Sequence, residues 1–178
     1  MHINFKRMPL WFVMTVFILL MLGGSSAAED SETSRRTLEG LQGFRVVVEN
    51  IQPNIHPYAQ KAGLTVSQIQ KDVENRLVKA GIKTTSGDNW LKIPGRPVVY
   101  INVNTHETEK YWYAYDIKFE LRQIVNLEAR PKVKTLADTW SINITGVANI
   151  GNLHVINKDI SALLERFIVA YKSVNRIK

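Results

Sequence analysis

The densest chemistry in the sequence is Lys110-Tyr-Trp-Tyr-Ala-Tyr115, which sets four aromatic rings within five residues beside a lysine. On a strand, successive side chains point to opposite faces. Tyr111, Tyr113 and Tyr115 then point together, and Trp112 points the other way with Asp116, Lys118, Glu120 and Arg122. Tyrosines on the first face suit a core, with their hydroxyls at its rim. Trp112 is the informative ring, because the rest of its face is polar. An indole can stack on a sugar ring or an acyl chain while neighbouring cations pair with an anion. With Tyr100 on the preceding strand, the expected contact residues are Tyr100, Trp112, Lys118 and Arg122, lying near one another, with Arg45 further off. The ligand they suit is an acidic glycan, a lipid headgroup or a partner protein.

Other constellations carry less. Asp116 and Glu120 share a strand face, but Lys118 lies between them and Arg122 follows. Alternating charge of this kind reads as a solvated salt-bridge ladder. Carboxylate catalysis needs a pair with separated pKa values in a cleft. His106-Glu-Thr-Glu109 fails the zinc-protease pattern, since Lys110 stands where the second histidine is needed. His56 and His154 lie in predicted loops. Asp138 falls on the apolar face of its strand, which reads as a β-bulge or a strand end. Asn143-Ile-Thr145 matches a glycosylation acceptor but sits inside a predicted strand. There is no nucleophile elbow, phosphate-cradling loop or dinucleotide fingerprint. The chain has no Cys, which excludes disulfides, thiolate metal sites and a Cys nucleophile. No cofactor and no metal are expected.

The elements that position these residues follow a charged, then apolar, start. Lys6 and Arg7 precede the uncharged stretch from Met8 to Leu22, and Gly23-Gly-Ser-Ser-Ala-Ala28 follows. That order is a secretory signal, residues 1–28, with cleavage after Ala28. Retained as an anchor, its fifteen residues would rise only about 22 Å, short of a ~30 Å hydrocarbon core. Residues 29–37 are all polar and read as a flexible leader. Residues 38–178 make one domain.

Within it, Phe44-Arg-Val-Val-Val-Glu49 reads as a strand and Asn50 to Gly63 as a loop. Thr65 opens a helix as the first member of a capping box with Gln68. Val66, Ile69, Val73, Leu77 and Ala80 form its apolar stripe, and Gly81 closes it. Val98–Val103 is the second strand. Tyr111 to Leu127 is the third, with one buried and one wet face. Val133 to Thr145 is the fourth, with Leu136, Trp140, Ile142 and Ile144 sharing a face. Asn157 caps a last helix, whose stripe is Ile160, Leu163, Leu164, Phe167, Tyr171 and Val174. The order β-α-β-β-β-α predicts an α+β two-layer sandwich, with two helices packed on one face of a four-stranded mixed sheet.

The strand Phe44-Arg-Val-Val-Val, the helix ending in Ala80-Gly-Ile82 and the long alternating strand Tyr113-Ala-Tyr-Asp-Ile-Lys-Phe-Glu-Leu121 resemble the lipopolysaccharide-assembly lipoprotein family in topology, over roughly Leu38 to Asn175. That family is tethered by a lipid-modified Cys, which this chain lacks. The resemblance therefore implies an envelope accessory domain, without the export role. The formal charge is +7, from 23 basic and 16 acidic residues; Lys6 and Arg7 fall in the signal, which leaves 21 against 16, or +5. A mild basic excess favours anionic partners. Secretion and the lack of a Lys/Arg-rich stretch on one face argue against nucleic acid. The expectation is a periplasmic or secreted, non-enzymatic binding or envelope-assembly module. The alternative is a secreted hydrolase joining Asp116 or Glu120 to a histidine in space.

Overall fold

The computed structural model describes residues 30–176. The signal sequence and its cleavage site lie outside the described residues. The elements are α1 (Glu32–Arg36), β1 (Arg45–Val48), a 3-10 turn (Pro53–Ile55), α2 (His56–Ala59), α3 (Val66–Lys79), α4 (Asp88–Leu91), β2 (Val98–Glu109), β3 (Trp112–Leu127), β4 (Arg130–Asn149) and α5 (His154–Val174).

One open sheet runs in the order β1-β2-β3-β4. β1 is parallel to β2, and β2, β3 and β4 form an antiparallel meander. The long helices α3 and α5 supply one layer, as the stripe spacing predicts. Ile69, Val73 and Leu77 of α3 and Leu163, Leu164 and Phe167 of α5 are buried with Val46, Ile101, Ile117, Phe119 and Leu121 of the sheet. Phe167 is the hub: its ring lies within 5.6 Å, centroid to centroid, of Phe44, Phe119 and Trp140. α3 starts on Thr65 as expected, with Gln68 donating its amide to Thr65 Oγ1 at 3.3 Å, but the box is only half made, because the Gln68 side chain donates to Asp72. It ends on Gly81 at φ +82, where Ile82 donates back to the Leu77 carbonyl.

Five local expectations change. Residues 30–37 carry structure: Ser31 and Ser34 cap α1 reciprocally, and Asp30 accepts from Arg35 and from Trp140 Nε1, both at about 2.9 Å or less. Polar groups hold this segment, which a search for apolar anchors overlooks. β2 and β4 outrun their predicted ends, because the polar ends pair in the ladder without burial. Tyr111 is not a strand residue aligned with Tyr113 and Tyr115. It sits in the tight β2–β3 turn at φ +68, exposed and edge-on to Tyr58. α5 begins at His154, and the Asn157 side chain donates to the Ala62 carbonyl instead of capping it.

The fifth change is a register shift in β4. Leu121 pairs with Trp140 and Arg122 with Asp138, so Thr139 is the extra residue of a bulge. Beyond the bulge the alternation inverts. Asp138 turns to the outer face, and Leu136, expected to share the face of Trp140, is 57% exposed.

Candidate functional site

The two long helices cover one side of the sheet, and the outer side carries the even-numbered residues of β2 and β3. Its two ends differ. At the end nearest β1, Arg122 lies at the centre. Its guanidinium carbon is 3.4 Å from the centroid of the Tyr100 ring. Its NH2 group donates to Glu120 at 2.8 Å and its Nε to Asp138 at 2.9 Å. Tyr100 in turn donates its hydroxyl to Glu49 just past the end of β1, and Asn102 donates to the same carboxylate. Those two donors hold the Glu49 carboxyl below its usual range. Burial, and then Glu49, push the Tyr100 phenol up. Arg45, on β1, lies over the Trp90 ring at 5.3 Å.

The sequence expectation of Tyr100 beside Arg122 therefore holds in space, but the guanidinium is engaged. Two carboxylates and an aromatic face occupy it, so an incoming anion would have to displace them. Glu120, expected on a solvated ladder, is only 8% exposed.

Trp112 stands at the far end of β3. At about 3.3 Å per residue it is roughly 20 Å from Lys118 and roughly 33 Å from Arg122 along the strand. The five expected contact residues thus form no single cluster: Tyr100 and Arg122 meet, Arg45 stands beside Trp90, and Trp112 is remote from all three. Lys118 lies between the ends, paired in register with Asn102 and Asn143. Its ammonium makes no ion pair among the described residues.

The end near Trp112 is open. The Trp112 side is 44% exposed. Next along the face, Ala114 is small and leaves a shallow depression of about 690 Å³ lined by Asn104, His106, Asp116 and Thr145 among others. β1 has ended by this level, and side chains replace it: Gln52 accepts the Thr105 amide at 2.9 Å and Asn54 donates to the Thr105 carbonyl at 2.9 Å. On the inner side, the Tyr115 ring packs over Gly146, where any Cβ would collide with it, and its hydroxyl donates to Asp159 at 2.5 Å. The floor of the depression is thereby fixed from below.

His106 and Asp116 line the same depression without a hydrogen bond to each other; Asp116 accepts from Asn143 at 3.3 Å. The other two described histidines lie elsewhere, His56 against the Ile51 carbonyl and His154 at the start of α5. Among the described residues no three metal-capable side chains converge. Nor is any helix there long and apolar enough to cross a membrane.

The depression, with its rim of amides and a hydroxyl, carried no signal in the sequence. Ala114 and Thr145 are unremarkable letters, and only the register brings them together.

No family model matches the chain, and no curated protein matches it. Among solved structures it is similar to a minor lipoprotein from Acinetobacter baumannii, at 7% identity over 76% of this chain and 90% of that one, with a TM-score of 0.25.

Proposed function

We propose that this chain is a non-enzymatic binding module of the cell envelope, periplasmic or secreted, that holds an acidic glycan on the open end of its outer sheet face. The reading takes residues 1–28 as a cleaved signal and residues 29–178 as the exported chain. One observation carries it: Trp112 stays exposed beside a depression rimmed with amide, hydroxyl and imidazole groups, on a face the long helices leave uncovered. Sugar rings offer a C–H face for an indole and hydroxyls for such a rim. Lys118 supplies the cation that an acidic sugar needs. Tyr100, Arg122 and Arg45 are second in line, because their own neighbours occupy them.

The test is calorimetric titration of the exported chain with acidic envelope oligosaccharides. Binding should weaken at least tenfold in Trp112→Ala and measurably in Lys118→Gln, with Arg122→Lys close to wild type. Equal affinities in wild type and Trp112→Ala would sink the reading. The hydrolase alternative rests on the same depression. Cleavage of the oligosaccharide by wild type, lost in Asp116→Asn and His106→Gln, would replace binding with turnover.

A further inference from the structure

The surface changes character toward the β3–β4 turn. The segment that leads from α4 into β2 runs beside this hairpin, and Ile124 donates its amide to the Gly95 carbonyl at 2.7 Å. Between segment and hairpin lies an open groove of about 660 Å³. Trp90, Leu91, Ile93, Ile124 and Leu136 give it apolar walls, with Leu91 47% and Leu136 57% exposed. Lys92, Arg96 and Lys134 line the same groove, and no carboxylate does. Further along the hairpin, the exposed Leu127 and Val133 flank Arg130 and Lys132 in the chain. Asp88 and Glu128 are the only acidic residues of residues 86–97 and 124–136, against five cations.

We propose that this end of the molecule docks on an anionic lipid bilayer. Exposed aliphatic side chains ringed by lysine and arginine suit the boundary between headgroup and acyl chain, where the apolar groups enter and the cations meet phosphate. The charge pattern selects this occupant. A second copy docking through the same patch would set its cations against these, at a cost in repulsion. An apolar protein partner would cover Lys92, Arg96 and Lys134 without a counter-charge. An anionic bilayer offers apolar depth and negative charge together. The patch is separate from the Trp112 depression, roughly 33 Å away along β3, so the two surfaces can be occupied at once.

The test uses the chain from Glu29 onward, which contains the whole described core. It is co-sedimented in about 0.1 M salt with vesicles of phosphatidylcholine alone or mixed with phosphatidylglycerol. Wild type should partition onto the anionic vesicles and leave the neutral ones. Lys92→Gln with Lys134→Gln should weaken binding about fivefold per cation removed, about 25-fold for the pair. Leu91→Asn with Leu136→Asn should weaken it at unchanged net charge. Lys71→Gln with Lys158→Gln, which removes equal charge from the helical layer, should leave it unchanged. The proposal is overturned if wild type treats the two vesicles alike, if the Lys92/Lys134 variant binds as wild type does, or if the Lys71/Lys158 variant loses as much.

Discussion

The two ends of the outer sheet face are built on the same strand with the same alternation, yet one is closed and the other open. At the closed end, Arg122 meets Glu120 on its own strand, Asp138 from β4 and Tyr100 from β2, while Glu49 beyond β1 completes the chain of contacts. Four stretches of backbone converge there. At the open end β1 has stopped, Ala114 fills little space, and Trp112 pairs in register with Asn149 and Glu109. Whether an exposed-face side chain is available to a ligand is therefore decided by its cross-strand neighbours, and its own identity says little. A cation that already has two carboxylates is a structural group. A ring left 44% exposed on a face the helices do not cover is a contact group.

The covered face sets the scale for testing this contrast. Leu164→Ala, at a buried site between α5 and the sheet, should cost about 2 to 5 kcal/mol in urea unfolding. Lys158→Ala, at an exposed site six residues earlier on the same helix, should change little. Equal small effects would mean that α5 does not hold the sheet as described.

Next in size is the closed end. Arg122→Ala would strand Glu120, which has little solvent around it, and leave Tyr100 without its cation. The expected loss is about 2 to 4 kcal/mol, since removing one partner of a largely desolvated pair leaves an uncompensated charge. Lys118→Ala, four residues away on the same face, should stay within about 0.5 kcal/mol. If Arg122→Ala were as mild, the guanidinium would be no more committed than Lys118, and the distinction between the ends would collapse.

A smaller effect probes the support beneath the open end. Burial, and then the Asp159 carboxylate, push the Tyr115 phenol up to about 12, from an ordinary 10.0. A pKa raised on folding means that the neutral phenol stabilises the fold fully below pH 10, and that this contribution disappears as pH climbs through about 12. Tyr115→Phe should cost about 1 to 2 kcal/mol at neutral pH. The gap between wild type and variant should then close across pH 10 to 12 in alkaline unfolding curves. A gap that persists unchanged at pH 12 would show that the phenol is not the group responsible.

Much of this arrangement was legible in the residues. The period-two pattern of Tyr113 to Leu121 put the right side chains inward, and the three-and-four spacing of Ile69, Val73 and Leu77 oriented α3 on them. Asp138 on an apolar stripe pointed to the bulge now seen at Thr139. The site was less legible, for two physical reasons. Distance along a strand grows by about 3.3 Å per residue, so Trp112 and Arg122 share a face without sharing a site. And the partners that close off Arg122 come through register, which hairpin turns and a one-residue shift set after folding. Nothing near Glu49 in sequence says that it will accept from Tyr100.

The smallest stability effect is the one that most directly separates the two ends. Trp112→Ala removes a large ring, and a buried tryptophan would cost about 3 to 5 kcal/mol. Here Trp112 is 44% exposed, and no other aromatic ring stacks on it among the described residues. Part of its surface already meets water in the folded chain, so truncation forfeits only the covered remainder. The change in unfolding free energy should stay under about 1 kcal/mol. Glycan affinity should nonetheless fall at least tenfold, because stacking is realised only in the complex. A variant that unfolds easily would place Trp112 among the packing residues, and the open end would then be a second closed one. A variant that is stable and still binds would leave the depression intact but remove the indole from it.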